Sequence, residues 1–134
     1  MSYPTIGQLE REIAQRISAL YYEQIGQRPS QVVCHFFDTE LVISLEKSAS
    51  LVELTLISGG YENLAEQVRL FLDKIIKRQL QILLEEIIGK PIVDLMTNTN
   101  LATGRTGIIV ILQQLPEVRN PESIPKANLK NLAE

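Results

Sequence analysis

One stretch, residues 61–88, limits what this chain can fold into more than any other. Leu64, Val68, Leu72, Ile76, Leu80, Leu84 and Ile88 recur at every fourth position, and Phe71, Ile75, Leu83 and Ile87 fill the adjacent row. That spacing predicts an amphipathic helix of about seven turns. Ser58, Gly59 and Gly60 interrupt the chain before it. Gly89 suits a left-handed helix cap, and Pro91 cannot continue a helix. A four-residue repeat drifts about 40° per step on an α-helix, so the apolar surface winds around the axis and is too broad for one partner. A helix apolar over half its circumference is covered on two sides. A sheet is expected on the row containing Val68, Phe71 and Ile75. The second flank, Ile76, Leu80, Leu84 and Ile88, is then expected to meet the first helix or another chain, with Lys74, Lys77 and Arg78 beside it.

The rest of the chain reads as short elements around that helix. Thr5-Ile6-Gly7-Gln8 has capping-box spacing, and Ile6, Leu9, Ile13, Ile17, Leu20 and Tyr21 follow at intervals of three and four. Gly26 and Pro29 end this first helix. Residues 32–37 and 41–46, rich in β-branched and aromatic side chains, flank Asp38-Thr39 and predict a hairpin. Leu41, Ile43 and Leu45 share the face expected to be buried. Residues 48–57 fit either a strand or a helix. The capping-box spacing Ser50-Leu51-Val52-Glu53 favours a short helix. Residues 92–96 read as a strand, residues 97–106 as a polar loop, and 107–113 as a central strand apolar on both faces. Helix, strand, strand occurs twice, which suggests two similar units pooled into one sheet. From residue 116 prolines and charges dominate, so 1–115 is expected as the single domain and 116–134 as a flexible tail. Leu129 and Leu132 sit three apart, a spacing that fits a short docking turn, with fraying the favoured reading.

Several function classes are disfavoured. A formal charge of -3 gives no electrostatic footprint for nucleic acid. The longest apolar runs are a few residues, far short of the roughly 20 needed to cross a bilayer, so no direct membrane insertion is expected. The N-terminus lacks a signal-peptide pattern, and Cys34 is the only cysteine, which together read as a cytoplasmic protein. Cys34 and His35 would point to opposite faces of a strand and cannot form a nucleophile–base pair or a metal site there. Asp38, Glu40 and Asp94 show no acid–base spacing, and no Ser-His-Asp pattern appears. Catalytic residues, cofactors and metals are therefore expected to be none. Gly104, Arg105 and Thr106 form the one candidate anion loop, with a hairpin turn as the plainer explanation.

Taken in order, these elements resemble the bacterial MpsC-like family. The resemblance spans about residues 7–113. It is carried by the helix ending Gly26-Gln27-Arg28-Pro29 and the hairpin 37–46. It continues through the helical linker, Arg69 and Arg78 in the long helix, Gly89-Lys90-Pro91-Ile92-Val93 and the strand 108–112. Where relatives tend to carry acidic residues before the last strand, this chain has Asn98, Asn100, Gly104 and Arg105. The resemblance implies a non-enzymatic accessory protein of a membrane-potential-generating system linked to inorganic-carbon uptake, and it favours a helix at 48–57. The expectation is an α+β domain ordered α-β-β-α-α-β-β, a four-stranded, mainly antiparallel sheet against a long helix and a shorter N-terminal one. A homodimer and a membrane-associated protein partner are the expected associations. A small-anion or nucleotide sensor using the Gly104-Arg105 loop is the alternative.

Overall fold

A computed structural model describes residues 2–131. The elements run α1 (Ile6–Ile25), β1 (Gln31–Phe37), β2 (Glu40–Glu46), α2 (Leu51–Ser58), α3 (Glu62–Ile88), β3 (Ile92–Asn100) and β4 (Arg105–Leu112), followed by 3-10 turns at Pro121–Ser123 and Leu129–Asn131. This is the α+β order the sequence predicts. The sheet is wholly antiparallel, with strand order β1-β2-β4-β3. The second strand of each α-β-β unit therefore lies at the centre, and α2 links the two units.

Local chemistry explains the punctuation. Thr5 and Gln8 close a reciprocal capping box on α1, and Ser50 and Glu53 do the same on α2. The strand reading of 48–57 is thereby removed. Gly26 and Gly89 take left-handed caps at φ 90° and 75°, a conformation that costs a side-chain-bearing residue. In the β1–β2 turn Asp38 takes φ 48°, a value that Asp tolerates better than most residues.

Helices cover one face of the sheet. Cys34 and Phe36 of β1, Leu41, Ile43 and Leu45 of β2, Leu95 of β3, and Ile108, Val110 and Leu112 of β4 point into the core. They meet Leu9, Ile13, Ile17 and Tyr21 of α1 and Ile76, Leu80, Leu84 and Ile88 of α3. Edge strand β1 is also capped from α1, where Glu10 Oε2 accepts the Phe36 N–H at 2.8 Å. The Cys34 thiol donates to the Glu10 carbonyl. Burial, reinforced by the Glu10 charge, pushes that thiol up to about 12.

Four expectations are corrected. The row of α3 facing the sheet is the one assigned to the outer flank: Leu80 and Leu84 are fully buried, whereas Phe71 and Ile75 are 62% and 51% exposed. Ile76 and Ile88 are buried with them, so Ile76, Leu80, Leu84 and Ile88 form core and not an interaction surface. Second, Thr97-Asn98-Thr99-Asn100 is strand and not loop. Thr99 lies opposite Thr106 and their hydroxyls share a 2.6 Å hydrogen bond, so polar side chains satisfy each other across the ladder. Third, β4 is central but covered on one face only, leaving Ile109 exposed outside.

Fourth, the tail packs as far as it is described. Leu115, Val118 and Ile124 are buried in the main core. The Asn120 side chain accepts the Ile6 N–H at 2.9 Å, satisfying an otherwise unpaired amide in the first turn of α1. The Pro125 carbonyl accepts from Asp38 N at 2.8 Å, and Asp38 Oδ1 accepts from Asn128 N. Val118 and Ile124, with Leu115 just before them, and a few backbone bonds thus hold a segment whose composition is polar. Leu129 is half exposed, and Leu132 lies outside the described residues.

Two outcomes follow from this packing. Ile124→Ala lowers stability in urea by about 2–5 kcal/mol, whereas a loose tail would leave the midpoint unchanged. Cys34 in the native protein resists aromatic disulfide reagents at neutral pH, because the thiol is protonated and covered, and it reacts fully once the chain is unfolded.

Candidate functional site

The most highly charged buried place in the molecule joins α2, α3 and the sheet. Arg69, only 4% exposed, sits on the core side of α3. Its Nε donates to Glu53 Oε2 and its Nη2 to Glu53 Oε1, both at 2.7 Å, a bidentate fork. Nη2 also reaches the Ser48 carbonyl at 3.0 Å, and Nη1 reaches Asp73 Oδ1 at 3.2 Å. Glu53 is fully buried, and its Oε1 also accepts from the Ser50 amide and hydroxyl. The chain of bonds continues outward. The Ser48 hydroxyl donates to the Gly104 carbonyl at 2.9 Å and lies 2.7 Å from the Thr106 hydroxyl, which meets Thr99 in turn.

One guanidinium faces two carboxylates in this network. Burial alone would lower the Arg69 pKa, but the hydrogen bonds and charges of Glu53 and Asp73 outweigh it and hold the guanidinium above its ordinary value. Burial raises the Asp73 carboxyl above the ordinary range, with Arg69 offsetting only part of that. Tyr21 is raised as well, chiefly by burial and secondly by the Asp73 charge. A polar cleft of about 430 Å³ opens beside the pair, between α3 and the β3–β4 hairpin, with Glu66, Asp73, Asn98 and Asn100 on its walls.

The candidate anion loop does not converge. Gly104, at φ 74°, donates its amide to the Asn100 carbonyl and presents its own carbonyl to Ser48. Thr106 is buried in the hydroxyl chain. Arg105 points to the opposite face of the strand, exposed, and pairs with Glu46 at 3.2 Å. The loop is a hairpin turn whose polar groups are engaged within the protein. Cys34 and His35 do diverge, one buried and one exposed. Among the described residues, no cluster of three or more His, Cys, Asp or Glu side chains could hold a metal ion.

What the surface does offer is apolar. On the open side of the sheet, Val42, Met96 and Ile109 border a shallow trough of about 350 Å³ over Gly107. A Cβ added at Gly107 would meet nothing within 4 Å. On the other side of the molecule, α3 turns Leu64, Phe71, Ile75 and Ile82 to solvent, and α2 adds Leu51, Val52 and Leu54. Lys74, Lys77 and Arg78 are exposed, as the sequence implies, with Lys74 Nζ 5.4 Å from the centre of the Phe71 ring. Lys74 and Arg78 lie along the row that contains Phe71, whereas Lys77 sits one turn before Leu80.

The Glu53–Arg69 pair was not legible as a pair. Glu53 shows in the sequence as a capping residue and Arg69 as a marker of family resemblance. Sixteen residues separate them, and no local spacing couples them. The one available signal was a charged residue, Arg69, in line with Ala65 and Ile76 on an otherwise apolar helix row.

Fold and surface together define a small α+β protein whose buried Arg69 pairs with Glu53 and Asp73 and whose exposed apolar area is spread over two faces. Among the described residues no helix is long and apolar enough to cross a membrane. Residues 5–114 match the family described as Na+-translocating membrane potential-generating system (MpsC), and the chain belongs to that family. No curated protein and no solved structure matches it.

Removing one partner of the buried pair tests its role. Arg69→Ala strands Glu53 and costs about 3–5 kcal/mol. Converting both residues to Met costs less than the two single substitutions summed, because neither charge is left facing an absent partner, so a double-mutant cycle in denaturant shows coupling. Two independent, additive losses would mean that the pair does not act as a unit.

Proposed function

We propose that the protein is a non-enzymatic, cytoplasmic accessory or regulatory subunit that acts by docking on a membrane-embedded component of a membrane-potential-generating system, in the service of inorganic-carbon uptake. The observation that carries this reading is membership over residues 5–114 of the MpsC family, which is described as part of a Na+-translocating membrane potential-generating system. A chain with no membrane-crossing helix among its described residues contributes to such a system most directly through protein contacts. Two exposed apolar faces supply the area for them. The charged groups beside the polar cleft support a non-enzymatic role, because Arg69 is committed to Glu53 and Asp73. The small-anion or nucleotide reading loses its support, because Gly104, Arg105 and Thr106 face different partners.

Affinity capture of the tagged chain from gently solubilised native membranes tests the proposal. The expected result is co-purification of a multi-spanning membrane protein in fixed proportion. Recovery of the tagged chain alone would contradict it.

A further inference from the structure

Residues 116–131 lie beyond the stretch that matches the family, which ends at 114, yet they are held to the body in the manner of a bound peptide. Among the described residues they add no strand to the sheet and form only short 3-10 turns. Val118 and Ile124 sink into the core, while Arg119, Glu122, Ser123, Lys126 and Asn128 face solvent. Between the two anchors, Asn120 Oδ1 accepts the Ile6 N–H in the first turn of α1, and the Arg119 N–H donates to the Pro4 carbonyl at 2.9 Å. After them, the Pro125 carbonyl accepts the Asp38 N–H, and the Asn128 N–H donates to Asp38 Oδ1. Where the segment begins, Glu117 Oε1 accepts from Lys90 Nζ at 2.7 Å, and that lysine is itself buried. An acid, an apolar side chain, an asparagine and a second apolar side chain fill a groove between the start of α1 and the β1–β2 turn.

Leaving this groove costs far less than unfolding the chain. A strand pulled from the sheet loses a whole ladder, whereas the tail gives up two apolar anchors, one ion pair and the few hydrogen bonds just named. Its own conformation suits docking and release alike. Pro116, Pro121 and Pro125 restrict the free segment, so redocking forfeits little entropy. Lys126 sits at φ 60°, a left-handed conformation that strains a residue with a side chain and relaxes on release. The walls do not need the tail in order to form. Thr5 and Gln8 cap α1 from within, and the β1–β2 hairpin is closed by its own ladder. The groove outlasts its occupant.

We propose that this groove is a peptide-binding site that residues 116–131 occupy in cis as a reversible plug. A segment of another protein with the same pattern displaces the tail and binds in its place. The pattern is an acidic residue, an apolar one next to it, an asparagine two positions on and an apolar one four beyond that, as in Glu117, Val118, Asn120 and Ile124. The site is separate from the exposed row of α3 and from the open sheet face. It does not rest on the membrane role, since the purified chain alone displays it.

Amide hydrogen exchange of the wild-type chain reads the opening. The Ile6, Asp38, Arg119 and Asn128 amides are expected to exchange at least about tenfold faster than those of β2 and β4, through one shared opening. Protection of Ile6 and Asp38 equal to that of the central strands would mean that the tail leaves only when the chain unfolds, and overturns the proposal. Displacement is read with the full chain carrying Val118→Asp and Ile124→Asp, and with a fluorescent synthetic peptide of residues 115–131 as the probe. The peptide is expected to bind this variant saturably. Wild type binds it at least about tenfold more weakly, because the tethered tail competes at an effective concentration of millimolar order. Asn120→Ala in the peptide weakens binding, and a scrambled peptide does not bind. A folded variant that ignores the peptide overturns the proposal, as does equal binding by wild type and variant or by the scrambled sequence. If the variant fails to fold, exchange in the wild-type chain still decides. Capture from membranes can fail with every one of these results unchanged, so the groove and the accessory role stand or fall separately.

Discussion

The bidentate pair of Arg69 and Glu53 fixes the relation between the helices on which everything else depends. It ties α2 to α3, and through Ser48 it ties both to the β3–β4 hairpin. Burying two charges is costly, and a well-packed apolar pair is often at least as stable. The value of such a pair lies in geometry. A guanidinium with one planar partner admits one rotation of the helix about its axis, whereas leucines would accept several. Once Arg69 faces inward, Ile76, Leu80 and Leu84 must follow it, and Leu64, Phe71, Ile75 and Ile82 must face water or another chain.

Much of the fold was legible because the signals were local. Thr5 with Gln8, and Ser50 with Glu53, cap helices within a single turn, and Gly26 and Gly89 end them. The alternation of Leu41, Ile43 and Leu45 assigns a buried face to β2 without knowledge of its neighbours. Periodicity likewise finds α3 and its extent. It cannot orient α3, because the helix carries two apolar rows of similar strength. Each row carries one arginine, Arg78 in the row with Phe71 and Arg69 in the other, so hydropathy does not rank them. The deciding interaction is a buried charge pair spanning sixteen residues, which reads as polar in any local window.

The remaining differences share that long-range origin. Asn120 completes α1 from 114 positions away, and Pro125 and Asn128 fasten onto the β1–β2 turn. Composition weighs Val118 and Ile124 against the prolines around them and predicts a loose tail. The fold places both where they are enclosed. Thr97 to Asn100 looks like loop because polar residues seldom build strands. Here Thr99 and Thr106 satisfy each other across the ladder. For the candidate surface, the apolar row that sequence set beside Lys74, Lys77 and Arg78 is core. The family was legible from the order of elements, while the particular process it serves is not written in any one residue.

The central claim is that α3 presents Leu84 to the core and Ile82 to the outside, two positions apart on one helix. The same substitution at both positions, read by far-ultraviolet circular dichroism through a thermal scan, tests it most directly. Ile82→Glu is predicted to keep the wild-type spectrum and a cooperative transition, since that side chain is 67% exposed. Leu84→Glu is predicted to abolish the transition, because it buries a carboxylate with no partner. A folded Leu84→Glu variant alongside an unfolded Ile82→Glu variant would contradict the orientation and, with it, the assignment of the outer row.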